Sequence, residues 1–99
     1  MLRHIVLLRW NEAAPPDVVD QMGEALGALA AQWPNILSYR YGPDAEVTSD
    51  TWDYAIVADF ESDADFVEFR DDSDHRAMVK KLVVPWRGER ASLQFRLSP

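Results

Sequence analysis

The sequence predicts an α+β fold of the ferredoxin-like, split βαβ type: a four-stranded antiparallel sheet that carries its helices on one face. Three observations predict it. Apolar positions alternate along some stretches and recur every three or four residues along others, in the order strand, helix, strand, strand, helix, strand. Right-handed crossovers in that order bring both helices to the same side of the sheet. The first and third strands are apolar on both faces, as strands inside a sheet are. The chain's 99 residues suffice for one hydrophobic core and not for two, so residues 1–99 are expected to form a single domain.

The first strand, Arg3-His4-Ile5-Val6-Leu7-Leu8-Arg9-Trp10, sets His4, Val6, Leu8 and Trp10 on one side with Leu2, and Arg3, Ile5, Leu7 and Arg9 on the other. Asn11 to Pro16 is a polar turn. Pro15-Pro16-Asp17 then suits the opening of a helix, because proline lacks an N–H that would go unpaired there and the acid meets the positive end of the dipole. Val19, Met22, Leu26, Leu29 and Trp33 fall on one stripe and Pro34 forbids continuation, which predicts a helix over about Pro16 to Gln32. Ile36 to Tyr41 alternates Leu37, Tyr39 and Tyr41 against Ser38 and Arg40, a second strand closed by Gly42-Pro43. The polar, aperiodic stretch from Pro43 to Thr51 reads as a surface loop.

Trp52, Tyr54, Ile56, Ala58 and Phe60 alternate with Asp53, Ala55, Val57 and Asp59, a third strand expected beside the first. Ser62-Asp63-Ala64-Asp65 offers a serine cap and acids for a first turn, with Phe66, Val67 and Phe69 as the apolar side of a helix reaching about Arg70. Asp71-Asp72-Ser73 interrupts it, and Met78, Val79 and Leu82 resume the helical period until Pro85. The last strand, Ala91 to Leu97, sets Ala91, Leu93, Phe95 and Leu97 against Ser92, Gln94 and Arg96. With the helices on one face, the other lies bare. Its apolar positions exceed what a monomer leaves in water, so a homodimer is expected, paired through the open sheet face.

Seventeen acidic against ten basic residues, a formal charge of −7, repel phosphate backbones, and no nucleic-acid partner is expected. No apolar run is long enough for a membrane span, and the N-terminus alternates in strand fashion without a small-residue cleavage site, which points to no membrane association and a cytoplasmic protein. The absence of cysteine excludes disulfides, thiol catalysis and Cys-ligated zinc. No phosphate loop, HExxH or Gly-x-Ser-x-Gly motif occurs.

The opening Arg3-His4-Ile5-Val6-Leu7-Leu8, the run Trp52-Asp53-Tyr54-Ala55-Ile56-Val57 followed by Phe60-Glu61-Ser62, and Asp74-His75 together resemble, in order and spacing, the stress-responsive dimeric α/β barrel family, often called Dabb. The likeness covers nearly the whole chain. It implies a stress-response dimer of ferredoxin-like subunits whose sheets close into a dimeric α/β barrel, with no cofactor. Most relatives are stress-associated or uncharacterised, while one branch catalyses cofactor-free cyclisation of polyketides. In that branch a strand-one histidine, matched by His4, and a histidine opening the second helical segment, matched by His75, line a pocket between sheet and helices. A tyrosine six residues before the second histidine assists there. Its place is taken here by Phe69, which has no hydroxyl.

Aldol cyclisation needs a base that takes a proton from the carbon beside a carbonyl, and a donor that stabilises the enolate. Imidazole is largely neutral near pH 7 and suits the base. The catalytic candidates are therefore His75 as base and His4 as its orienting or polarising partner, with Tyr54 and Phe69 as pocket residues. The missing hydroxyl could come from Tyr39, Tyr41 or Tyr54. Against this stand a His4 satisfied within the core and a His75 bonded locally at a helix start. Asp71, Asp72 and Asp74 with His75 could hold a hard cation such as magnesium, but acids at a helix start also complement its dipole, and no metal is expected. The leading expectation is a homodimer with a pocket for a small apolar or phenolic ligand and no specific activity assigned to it. The alternatives are a cofactor-independent polyketide cyclase-like lyase, a cofactor-free or haem-degrading monooxygenase-like protein on the same barrel, and a structural stress protein without a pocket.

Overall fold

In the computed structural model, which describes residues 1–97, strand β1 (Leu2–Trp10) lies inside a four-stranded sheet with β2 (Ile36–Pro43), β3 (Tyr54–Phe60) and β4 (Arg87–Arg96). The strand order is β2-β3-β1-β4 and every pairing is antiparallel. Helices α1 (Val18–Ala31), α2 (Asp63–Asp71) and α3 (Ser73–Met78) follow the predicted order, and a π-helical turn, Val79–Val83, continues α3. No helix among the described residues is long and apolar enough to cross a membrane.

Register fixes which side chains share a face, because directly opposed residues of an antiparallel pair point the same way. His4 opposes Ala58 on β3 and Gln94 on β4, Val6 opposes Ile56 and Ser92, and Leu8 opposes Tyr54 and Arg90. This is the helix-covered face. Its core holds Leu8, Met22, Leu26, Tyr54 and Val83, with a second cluster of Leu29, Ala58, Phe60 and Phe69. Each fully buried Leu or Met contributes roughly 1.5–3 kcal/mol relative to exposure. On the open face Ile5 lies between Val57 and Leu93, and Leu7 between Ala55 and Ala91. Leu93 keeps 62% of its surface exposed and Phe95 40%. Beside this apolar stripe, Arg3 Nε and Nη2 donate to both oxygens of the buried Asp59 at 2.8 and 2.9 Å.

Several boundaries differ from the sequence expectation for local reasons. Helix α1 starts at Val18, two residues later than expected, because the Val18 N–H bonds back to the Pro15 carbonyl and Pro15-Pro16-Asp17 forms a separate turn. Its buried stripe consequently begins at Val18, and Val19 is only partly buried. Strand β3 starts at Tyr54 and not Trp52: Asp53 uses its carboxylate on the Trp10 N–H at 2.8 Å and leaves the regular ladder there. Strand β4 starts at Arg87, four residues early, since Arg87-Gly88-Glu89-Arg90 pairs along an exposed edge where no apolar alternation is needed.

Candidate functional site

A cavity of about 350 Å³ separates the sheet from the α2–α3 segment. Its floor is the β1 row His4, Val6 and Leu8 with Ile56 and Ala58 of β3, its far wall Tyr39 of β2, and its roof Phe66, Phe69, His75 and Met78. Val79 and Val83 of the π-helical turn close one end. There the Val84 N–H reaches back five residues to the Val79 carbonyl at 2.9 Å. Such turns widen a helix locally and recur at functional sites.

Capping decides where the roof residues stand. Ser62 Oγ accepts from the Asp65 N–H at 3.2 Å and starts α2, as the sequence predicts. Asp72 then ends α2 and opens α3, its Oδ2 accepting the His75 N–H at 2.9 Å. This cap sets His75 over the Phe69 ring, with centroids 4.3 Å apart. Two of the three acids considered for a cation are thus engaged within the protein, Asp72 as a cap and Asp71 on Arg70 at 2.9 Å.

His4 reaches the cavity from the floor. Its ring stacks on Phe66 at 4.7 Å, and Gln94 Nε2 donates to Nδ1 at 2.7 Å. An imidazole that accepts at Nδ1 carries its proton on Nε2, so neutral His4 is a hydrogen-bond donor. Burial, with Arg90 and His75 adding to it, pushes the His4 pKa down to about 4. His75 has the opposite arrangement: its Nδ1–H donates to the Arg70 carbonyl over a long 3.4 Å, which leaves the Nε2 lone pair free. Burial lowers its pKa too, against a smaller upward pull from that carbonyl and from Asp72. The two rings are therefore neutral near pH 7, one as a donor and one as an acceptor.

Of the expected pocket residues, His4, His75 and Phe69 all border the cavity. Tyr54 is a correction. It lies beneath α1 in the core with Leu8, Met22 and Leu26, 2% exposed, and its ring packs on Trp10 at 5.6 Å. Tyr54 opposes Leu8 at the level where the cavity ends, and its side chain packs into the α1 core and onto Trp10 without lining the cavity. Burial pushes its pKa up to about 12. The tyrosine on the wall is Tyr39, whose hydroxyl burial holds well above the usual tyrosine range, hence protonated and able to donate.

Sequence reasoning missed Gln94, Ser92 and Arg90, which also line the cavity. Strand β4 faces its polar side toward the helices and its apolar side outward. The alternation was legible, but polar residues on a strand normally signal solvent, and only the pairing with His4, Val6 and Leu8 reverses that meaning.

The model of the stress responsive A/B barrel domain (Dabb) matches residues 2–96. A dimeric ferredoxin-like protein of unknown function from Thermobifida fusca is 36% identical, with 97% of this chain and 90% of that one covered and a TM-score of 0.89. A dimeric protein of unknown function with a ferredoxin-like fold from Bacteroides fragilis is 23% identical over 97% of this chain and 95% of that one, TM-score 0.82. The hydroxynitrile lyase of Passiflora edulis shares the fold at 23% identity over 98% of this chain and 93% of that one, TM-score 0.83. No curated protein matches the chain.

Proposed function

We propose that this chain, which belongs to the stress-responsive A/B barrel (Dabb) family, acts as a homodimer whose subunits each hold a small, largely apolar ligand between sheet and helices. The observation that carries this reading is the cavity itself: a largely apolar floor and roof, with polar groups supplied by His4, His75, Tyr39, Arg70 and the β4 row. Pockets that bind small molecules have this composition, and about 350 Å³ lies at the small end of their usual range of roughly 300–1,000 Å³. Dimerisation draws support from the dimeric relative at 36% identity. The apolar stripe of Ile5, Leu7, Val57, Leu93 and Phe95 supports the open sheet face as the pairing surface. The test is a thermal-shift screen of small apolar and phenolic compounds. A rise in melting temperature that is lost on filling the cavity with Ala58→Phe supports the pocket, and no rise with any compound removes it.

A second reading, cofactor-independent aldol-type cyclisation, is favoured by the opposite tautomers of the two neutral imidazoles. In it His75 Nε2 takes the proton from the carbon beside a carbonyl, while His4 Nε2–H donates to that carbonyl's oxygen. The enolate carbon bonds to a second carbonyl carbon of the same molecule, and the alkoxide so formed recovers the proton from the His75 imidazolium. Tyr39 supplies the hydroxyl that Phe69 lacks. Loss of cyclised product from a poly-β-ketone in His75→Ala, with the fold retained, supports this reading. Full retention removes His75 from it.

A further inference from the structure

The charges around the cavity run against those of the chain. The protein carries a formal charge of −7, yet among the described residues the cavity wall contains no aspartate or glutamate and two arginines, Arg70 and Arg90. Arg70 is neutralised by Asp71 through Nε at 2.9 Å and Nη2 at 3.3 Å. Arg90 is not. Among the described residues no carboxylate lies within ion-pair distance of it, and its one side-chain bond is from Nη1 to Ser92 Oγ at 3.2 Å. Register places it opposite Leu8 at the end of the row Gln94, Ser92, Arg90, above an apolar floor.

A second observation points the same way. A shallow groove on the outer side of the roof shares Arg70, His75 and Val79 with the cavity and adds Arg76 and Lys80, again with no acid in its wall among the described residues. His75 and Val79 thus stand between a basic outer groove and the cavity. An approaching anion meets a favourable local field at the place where the wall is shared, in a molecule whose overall field would repel it.

We propose that the cavity takes an amphipathic monocarboxylic acid, with its carboxylate on the Arg90 guanidinium and its hydrocarbon body on the floor of Val6, Leu8 and Ile56. This rests on the ligand-pocket reading and names the ligand's class. The planar guanidinium fork matches a carboxylate with two parallel hydrogen bonds. Ser92 and Gln94, beside it on the same row, offer further polar contacts, and the neutral His4 donates without adding a competing charge. The unpaired cation over an apolar floor is matched by a ligand that brings one negative charge and little other polarity.

The experiment compares matched probes by calorimetry near pH 7.5: octanoate against octanamide, and para-butylbenzoate against para-butylbenzamide. In the wild-type protein each acid is expected to bind at least about tenfold more tightly than its amide, as a charge-assisted hydrogen bond to a fixed cation implies. Arg90→Gln is expected to bring that ratio close to one while leaving amide affinity within about twofold, and Arg90→Lys to retain part of it. Equal binding of acid and amide in the wild type, or a preference that survives in Arg90→Gln, overturns the assignment to Arg90 while the pocket stands. Binding of neither acid nor amide overturns it as well, and if the neutral compounds of the thermal-shift screen also fail, the pocket reading falls with it. Arg90 is an exposed edge residue, and a circular dichroism melt of each variant confirms that the fold is retained.

Discussion

Gln94 Nε2 lies 2.7 Å from His4 Nδ1, directly across the β1–β4 ladder, and this contact decides which nitrogen of the His4 ring carries its proton. A long-range proton–nitrogen correlation spectrum near pH 7 is expected to show Nε2 protonated and Nδ1 bare. Gln94→Leu removes the only side-chain donor at Nδ1 among the described residues and is expected to give a mixture of the two tautomers. An unchanged spectrum in that variant would mean that the ring is fixed by its packing on Phe66 instead.

His4 also makes stability depend on pH. Its folded pKa of about 4 lies below the ordinary histidine value near 6.5. Between these values the unfolded chain binds a proton that the folded one refuses. The contribution is fully present above about 6.5 and is lost as pH falls towards 4. Discounted for the ring's partial exposure, it amounts to about 1–2 kcal/mol. Urea midpoints measured across this window are expected to fall more steeply in the wild type than in His4→Phe, which has no titrating ring there.

Asp72 caps α3 through the His75 N–H. Asp72→Ala is expected to cost about 1 kcal/mol, and Asp72→Asn much less, because the amide oxygen still accepts that bond. The same variant should speed hydrogen exchange at the His75 amide. Loss of stability without faster exchange there would place the effect elsewhere in the α2–α3 junction.

Leu26 is 1% exposed and belongs both to the core and to the cavity wall. Leu26→Ala is expected to cost about 2–5 kcal/mol in urea denaturation, by removing buried methyl groups from a site that relaxes only partly. The vacated space is continuous with the cavity, so bulkier ligands than the wild type accepts should raise this variant's melting temperature. Equal ligand preference in both proteins would separate Leu26 from the binding volume.

Leu93 stands on the open face opposite Ile5 with 62% of its surface exposed. Leu93→Glu is expected to leave the monomer folded and to reduce the sedimenting species to a single chain of 11.3 kDa, since a charge in an apolar interface core is left unpaired. A dimer that persists would assign the pairing surface to another face.

The order of elements was legible because each long element carries one dominant period. The α1 stripe of Met22, Leu26 and Leu29 could hardly be anything but one side of a helix, and Ser62 announced α2 by its chemistry. The polar row of β4 was not legible. Ser92, Gln94 and Arg90 acquire their role only from strand pairing, a contact between residues some eighty to ninety positions apart. Tyr39 and Tyr54 could not be ranked from sequence for a related reason: both face the helices, and only their positions along the ladder decide which meets the cavity. The acids at Asp71 and Asp72 likewise looked like a set in sequence. Folding sends one to Arg70 and the other to a helix cap.

The π-helical turn has a consequence for how this chain tolerates change in length. Val79–Val83 spends one residue more per hydrogen-bonded turn than an α-helix does. It is equivalent to a helix bearing a single inserted codon. Deleting one residue there would restore the tighter ladder with little change in the direction of the chain beyond it, because the wider turn takes up the extra residue. The segment between Met78 and Pro85 is therefore a place where the chain can lose one residue and keep its path, at the expense of the local widening that holds Val79 and Val83 at the end of the cavity.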